Sequence, residues 1–245
     1  MKTSDKLLTL LLLLITFNCQ AQGDEGKLEF GLGISPSISW ITSNTKSVVG
    51  NGGGVNFGFG AKINYKLSDK YAFGFEVNMQ NINSNIRLPD INIQPHNGGI
   101  IKSTDLSLNY KLRYLELPVM LKMHTQEKNK LSFYGEFGGV VGFLLNQKAN
   151  ISSTYFTRDN VNTKAPEEGD QFELINPTNS SIKYLYNVNS LRAGLIFGAG
   201  VQLHVLSNSR VDIGLRYNLG LSDFLDDDIW KATNSYLALN LGFFF

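Results

Sequence analysis

The chain has 245 residues, of which 22 are Lys or Arg and 21 are Asp or Glu, so its formal net charge is only +1. Such a balance gives no reason to expect a polyanion, and nucleic acid is therefore not predicted as a partner. The 24 glycines and 16 phenylalanines are many for a soluble domain of this size.

The amino terminus has the pattern of a secretory leader. Lys2 and Lys6 precede an apolar run over residues 7–17, and a small-x-small cleavage site then ends at Ala21. The run is too short to span a bilayer. We therefore predict a signal peptide at 1–21 and a mature domain at 22–245, with a retained anchor as the alternative.

Cys19 is the one cysteine of the chain and suggests lipidation as a second alternative. Asn18 disfavours it, because a small residue is required immediately before a lipidated cysteine. Cleavage after Ala21 leaves a mature chain without cysteine, which excludes disulfides and thiol chemistry.

Eight segments after the leader alternate between bulky apolar residues and small or polar ones. This period of two predicts strands with one face in lipid and the other in a tight interior. The segments are Leu28–Ile41, Gly54–Leu67, Tyr71–Asn83, Leu106–Lys122, Leu131–Asn146, Asn187–Val205, 211–220 and Tyr236–Phe245.

The fourth segment changes phase along its length. Its apolar residues are even-numbered up to Tyr114 and odd-numbered from Leu115 onward. A regular strand cannot turn both sets to lipid, so we predict a β-bulge near Tyr114–Leu115. The alternative is a regular strand of which one half faces a partner or the periplasm.

The connections between the segments alternate between short and long. The short ones are Ser68–Lys70, His124–Lys130 and Leu206–Arg210, and the long ones are Thr42–Gly53, Ser84–Asp105, Gln147–Tyr186 and Ser222–Thr233. Outer-membrane barrels have short periplasmic turns and long extracellular loops. The predicted fold is thus all-β: an eight-stranded antiparallel up-and-down transmembrane β-barrel with both termini in the periplasm.

The last segment places Leu237, Leu239, Leu241, Phe243 and Phe245 on one face. The ending resembles those of bacterial outer-membrane barrels, whose assembly machinery recognises the terminal strand and its final Phe. The resemblance implies that Phe245 is an assembly signal and that the chain resides in the bacterial outer membrane.

The segment Tyr114–Lys122, with the sequence YLELPVMLK, resembles a motif of the outer-membrane β-barrel families of Bacteroidetes-type bacteria. These families include a PorT-like group. The similarity extends to 194–200, to 212–223 and to the terminal strand, and so covers essentially the mature chain. It implies a barrel of the porin-family or PorT-like type and allows a link to secretion or envelope assembly. Because one fold serves many functions, it assigns none.

Charged residues occur at the inward positions of these strands. An unpaired ion in a low dielectric is costly, so the mixture of signs predicts an ion-paired plug, with an ion or proton path as the alternative. The main candidates are Glu76, Arg113, Glu116, Glu136, Arg192, Asp212 and Arg216, and further inward charges are Glu29, Lys62, Lys66, Lys111 and Lys122.

No pattern for catalysis is evident. His96, His124 and His204 have no Ser and acid partners in the sequence, and no nucleophile motif or metal-ligand spacing occurs. We therefore predict a non-enzyme without catalytic, cofactor or metal sites. An acidic cluster at Asp223 and 226–228 is interpreted as a solvated loop tip, with calcium as the alternative.

Two functional classes remain. The first is a structural or interaction barrel, with outer-membrane lipid and the barrel-assembly machinery as partners and envelope or secretion proteins as further ones. The second is a small porin that passes ions or small solutes.

Overall fold

The strands of the computed structural model pair into a closed antiparallel barrel. The structure describes residues 27–43, 49–88, 91–95, 101–158, 161–162, 172–175, 181–183, 188–206, 209–225 and 231–245. The predicted signal peptide lies outside these residues. No helix among the described residues is both long and apolar enough to cross a membrane.

Among the described residues, eight strands form the barrel wall and four short strands lie in the connections. The wall strands are β1 (Leu28–Ser43), β2 (Val49–Ser68), β3 (Tyr71–Leu88), β5 (Ile101–His124), β6 (Leu131–Arg158), β10 (Leu191–Leu206), β11 (Ser209–Gly220) and β12 (Ala232–Phe244). The short strands are β4 (Ile91–Pro95), β7 (Val161–Asn162), β8 (Phe172–Ile175) and β9 (Ser181–Lys183).

The wall strands pair in the order β6-β10-β11-β12-β1-β2-β3-β5, and a β5–β6 pairing closes the ring. The eight-stranded antiparallel barrel expected from the sequence is therefore confirmed. At the seam between the ends of the chain, the Phe245 amide donates a 2.9 Å hydrogen bond to the Phe30 carbonyl oxygen. Closure leaves no unpaired edge, which is necessary because lipid offers the backbone no hydrogen bonds.

Alternation places the side chains as predicted along most strands. In β12, Leu237, Leu239 and Phe243 are exposed on the lipid side, whereas Ala238 and Asn240 are buried inside. The same division holds in β1 and β11. Between β5 and β6, Asn129 and Lys130 have positive φ angles of 53° and 65° in a tight turn, the geometry that fits the twist of a hairpin.

The predicted bulge occurs on the neighbouring strand. β5 keeps one continuous register with β3, and its even-numbered residues point inward from Tyr110 to His124. The β5–β6 register shifts because Arg113 pairs with Asn146 while Tyr114 pairs with Leu144. The extra residue is therefore Leu145 of β6. The prediction failed because Tyr110, Leu112 and Tyr114 are apolar yet face inward.

Several strands continue beyond the predicted segments. β3 runs to Leu88, β5 begins at Ile101 and β6 runs to Arg158. About 9–11 residues suffice for a strand to cross the bilayer, so the 24-residue β5 and the 28-residue β6 project well beyond it. Hydrophobic alternation is not required outside lipid, and for this reason the sequence pattern did not reveal these extensions.

Candidate functional site: the interior of the barrel

The middle of the barrel is crossed by a buried ion cluster centred on Arg216 of β11. Its guanidinium donates to Glu76 of β3 over 2.7 and 2.9 Å, and to Glu136 of β6 over 2.6 and 3.1 Å. Strands β3 and β11 lie four positions apart in either direction around the ring. The Arg216–Glu76 contact therefore spans the whole lumen, with charge-assisted bonds in a site that is almost closed to water.

Two lysines complete this central cluster, which we define as Lys62, Glu76, Lys122, Glu136 and Arg216. The Lys62 ammonium donates to Glu76 over 2.9 Å and to the Asn240 side-chain oxygen over 2.8 Å. Lys122 lies 3.9 Å from Glu136. Three cations thus face two carboxylates, and the two lysines are only 4% and 1% exposed.

Lys122 is also held by aromatic rings. Its ammonium lies 5.7 Å from the ring centre of Tyr134 and 5.5 Å from that of Phe244. Cation–π contacts of this length stabilise a charge that has little access to water.

A second polar layer lies on the extracellular side of the central cluster. Arg192 of β10 donates to Glu116 of β5 over 2.8 Å and to Asn218 over 2.7 Å. The Tyr236 hydroxyl of β12 donates to the other Glu116 oxygen over 2.6 Å. Because β5 and β12 also lie on opposite sides of the ring, this layer crosses the lumen as well.

An apolar cap closes the extracellular end. Phe224 and Leu225, which follow β11, are buried beside inward residues of β5, and the Tyr110 and Phe224 rings meet edge to face at 5.4 Å. Asn189 holds this segment by donating from its side chain to the Asp223 and Leu225 carbonyl oxygens, over 3.0 and 3.1 Å. The cap consists of buried side chains at Ile82, Ile86, Tyr110, Leu112, Tyr114, Val188, Phe224 and Leu225.

The periplasmic mouth is a cavity of about 520 Å³ above a polar floor. Arg210 donates to Asp212 over 2.7 Å and to both Glu29 oxygens over 2.9 and 3.0 Å. Lys66 pairs with the same Glu29 over 2.8 Å. Gln202 donates to Asp212 over 3.1 Å. Paired charged side chains therefore form the inner end of the cavity and separate it from the central cluster.

Small residues make room for the buried charges. A Cβ added at Gly198 of β10 would lie 2.5 Å from a Glu136 carboxylate oxygen and 2.7 Å from its Cγ. Glu136 accepts two hydrogen bonds from Arg216, so its carboxylate can move aside only by weakening them. The inward glycine is thus a packing requirement of the central cluster.

The structure brings most of the predicted interior residues together. Glu76, Glu136 and Arg216 meet in the central cluster, Glu116 and Arg192 in the second layer, and Asp212 at the floor. The predictions for Arg113 and Lys111 are wrong, because both side chains lie on the outer wall. The cause is the predicted position of the bulge. A bulge in β5 near Tyr114 would turn the odd-numbered residues before it toward the interior.

Sequence analysis missed Arg210 and Tyr236 as interior residues. The predicted turn Leu206–Arg210 includes Arg210, although this residue has the same parity as Asp212 and Arg216. Extension of the alternation by one step places it inside. Tyr236 was the first residue of the predicted last strand and was given no role, but its ring faces inward with Ala238 and Asn240.

The comparison with protein families identifies the type of barrel. The family described as "Outer membrane protein beta-barrel domain" matches residues 20–226.

The chain belongs to this family. Its localisation is accordingly the bacterial outer membrane. No subgroup of the family is distinguished by this match. A comparison with curated protein sequences finds no match.

Several solved outer-membrane proteins are similar to the chain. Neisserial surface protein A is 14% identical with a TM-score of 0.41, covering 88% of this chain and 95% of that one. Ail of Yersinia pestis is 16% identical with a TM-score of 0.36, covering 89% and 98%. OprG of Pseudomonas aeruginosa is 11% identical with a TM-score of 0.38, covering 89% and 94%.

Each of the two histidines that the structure describes contacts one polar side chain. The His124 Nδ1 lies 2.9 Å from the Gln202 side-chain oxygen, and the His204 Nδ1 lies 3.4 Å from a Glu127 oxygen. Within the described ranges, no three or more His, Cys, Asp or Glu side chains are placed to hold a metal ion. His96 and the acidic residues 226–228 lie outside those ranges.

Proposed function

We propose that this outer-membrane barrel is a closed structural and interaction module rather than a porin. The observation that carries the proposal is the Arg216–Glu76 contact, because it joins opposite walls of the lumen at 2.7 and 2.9 Å. An eight-stranded wall encloses a space that side chains can just fill. The second polar layer and the apolar cap add two further barriers along the same path.

The extracellular side offers the surface for partners. Beyond the bilayer, β5 and β6 continue as a paired ladder that extends from the barrel wall to the pair formed by Ile101 and Arg158. The short strands β4, β8 and β9 add to β5 and widen this sheet. A projecting sheet on a closed barrel is suited to contact other proteins, since the barrel supplies anchorage and the sheet supplies area.

The proposed setting is secretion or envelope assembly. The resemblance of Tyr114–Lys122 to the PorT-like group supports this setting, and Glu116 within that segment is a buried member of the second polar layer. The proposed partners are envelope or secretion proteins in addition to outer-membrane lipid. We propose no enzymatic activity, cofactor or metal for this chain.

The proposed route to the membrane begins with removal of residues 1–21. The barrel-assembly machinery then recognises the terminal strand, in which Phe245 continues the lipid-facing row of Leu237 to Phe243.

Planar-bilayer recording distinguishes a closed interaction module from a porin. The refolded full barrel is expected to give no steady unitary conductance, with a general porin recorded in the same bilayer as the positive control. A large, steady conductance from the monomer would reject the closed lumen and establish the porin alternative.

Affinity capture from detergent-solubilised outer membranes tests the interaction role. The wild-type barrel is compared with a variant in which residues 159–186 are replaced by a short Gly-Ser turn. Partners that bind the extracellular sheet are expected with the wild type and not with the variant. Equal recovery of every captured protein by both would remove the sheet from the proposal.

A further inference from the structure

The outer wall carries a cationic patch directly beyond the lipid-facing band of β3, β5 and β6. Met79, Leu115 and Phe143 are neighbours in the ladder near the end of the apolar rows of these three strands. The bulged Leu145, which is 51% exposed, is the last apolar residue of the row on β6. The outward positions that follow Met79, Leu115 and Leu145 are polar or cationic. We define the outer-wall patch as Asn81, Asn83, Lys111, Arg113, Asn146 and Lys148.

The bulge at Leu145 assembles this patch. Residues 136, 138 and 142 of β6 point inward, and the extra residue reverses the parity, so that Asn146 and Lys148 lie outside. Lys148 then pairs directly with Lys111, and Asn146 pairs with Arg113. Without the bulge, the two lysines would lie on opposite faces of the wall.

The six residues of the patch include three cations and no acidic side chain. Like charges directly opposite each other in a ladder are destabilising. Lys111 and Lys148 make no hydrogen bond or ion pair with another described residue. Arg113 donates its Nε–H to the Asn81 side-chain oxygen over 3.0 Å, which orients the guanidinium on the surface. An anion between these three cations would relieve the repulsion and accept their hydrogen bonds.

The patch forms one side of a groove of about 630 Å³ in the outer wall. The other side is apolar and is formed by Pro36, Val55 and Phe57 of β1 and β2. Val55 is 80% exposed and Phe57 is 47% exposed. Asn81 and Asn83 donate from their side chains to the Phe57 and Val55 carbonyl oxygens, over 3.0 and 3.4 Å, where the β2–β3 ladder is interrupted.

A groove with one cationic and one apolar side, at the edge of the lipid-facing band, matches an amphiphile with an anionic head. We propose that Lys111, Arg113 and Lys148 bind the phosphate group of a phosphorylated lipid in the external leaflet of the outer membrane. The acyl part of that lipid lies against Val55, Phe57 and the apolar rows below. Phosphate suits this site because Arg binds it with a planar fork and Lys binds it as a point charge.

The test measures binding of fluorescent lipid A, a phosphorylated glycolipid, to the full barrel in neutral detergent micelles. The variant is the triple substitution Lys111→Gln, Arg113→Gln and Lys148→Gln. Basic residues near a lipid surface contribute to binding of anionic headgroups, so loss of all three is expected to weaken binding by roughly tenfold or more. The control variant, Lys70→Gln, Lys128→Gln and Lys130→Gln, removes three exposed charges at the periplasmic end and is expected to bind as the wild type does.

Two further arms identify what is bound. Lipid A lacking its phosphates is expected to bind the wild type as weakly as lipid A binds the triple variant. Inorganic phosphate at millimolar concentration is expected to displace little lipid A, because it lacks the acyl contacts. Equal lipid A binding by the wild type and the triple variant would overturn the proposal. So would equal binding of lipid A and of the phosphate-free lipid by the wild type. Full displacement by inorganic phosphate would overturn the assignment to a lipid.

Folding of the triple variant is measured independently by its unfolding temperature in micelles without lipid A. Removal of the Lys111–Lys148 repulsion is expected to leave this temperature unchanged or to raise it. Weaker lipid binding by a barrel of equal or higher stability supports a binding role. A parallel loss of stability and binding would show that the patch is part of the fold instead.

Discussion

Arg216 of β11 and Glu76 of β3 face each other across the full width of the barrel and are joined by hydrogen bonds of 2.7 and 2.9 Å. They are 140 residues apart in the chain. Each is also bound to a second partner, Glu136 and Lys62 respectively. The contact therefore fixes the two halves of the wall relative to each other while it closes the lumen.

The charge count of the central cluster predicts unequal effects of removing its members. Glu76→Gln leaves three cations facing Glu136 alone, and loss of one partner from a buried ion pair costs about 3–5 kcal/mol. Lys122→Met leaves two cations with two carboxylates. It removes the long 3.9 Å contact with Glu136 and the cation–π contacts with Tyr134 and Phe244, while Met keeps an apolar side chain against these rings. We expect Glu76→Gln to destabilise the barrel strongly and Lys122→Met to be nearly neutral in urea unfolding from lipid vesicles. Similar losses for both variants would contradict this charge balance.

The second polar layer predicts a loss for Glu116→Ala. The substitution leaves Arg192 without its carboxylate and Tyr236 without its acceptor, so we expect a decrease of about 3–5 kcal/mol in the free energy of unfolding. Lys66→Ala is the control because its pair with Glu29 is half exposed, and surface pairs contribute at most about 1 kcal/mol. If water fills the lumen, the two losses should be alike.

The sequence predicted the wall better than the interior contacts. Alternation alone placed residues 211–220 of β11 and 237–244 of β12 correctly, because lipid on one side and a narrow lumen on the other impose a period of two. The prediction from alternation failed in β5. Tyr110, Leu112 and Tyr114 are apolar there because they belong to the cap, and not because they face lipid. The pairing of Arg216 with Glu76 could not be predicted, since it depends on how the strands are staggered when the ring closes.

Gly198 gives a test of the packing around Glu136. A methyl group there would overlap the carboxylate that Arg216 holds, and overpacking costs about 1–3 kcal/mol. Gly135 is the matched control, because a Cβ at that position meets no atom closer than 4.0 Å. We expect Gly198→Ala to lower the unfolding midpoint and Gly135→Ala to leave it unchanged. Tolerance of both would show that Glu136 moves more freely than its contacts imply.

Deletion of Phe245 is expected to impair assembly more than stability. The side chain is 60% exposed and contacts the Phe243 ring at a centroid distance of 6.3 Å, so the folded wall loses little packing without it. Outer-membrane levels in cells should fall, whereas a barrel refolded in detergent should keep its unfolding midpoint. Phe133→Ala, another exposed aromatic residue, is the control and should assemble normally. Normal cellular levels of the Phe245 deletion would argue against its role as an assembly signal.

Single-cysteine labelling compares the two faces of the wall at one height. The neighbours Lys111 and Leu112 of β5 point to opposite sides, since Lys111 is exposed on the outer wall and Leu112 is 1% exposed as part of the cap. Cysteine variants at both positions are made with Cys19 replaced, so that each carries one thiol. On intact cells, a membrane-impermeant maleimide should label Lys111→Cys and leave Leu112→Cys unreacted until the protein is unfolded. Labelling of Leu112→Cys in the folded barrel would mean that water reaches the lumen from outside. Labelling of Leu112→Cys without labelling of Lys111→Cys would show that Lys111 points inward, as the sequence predicts.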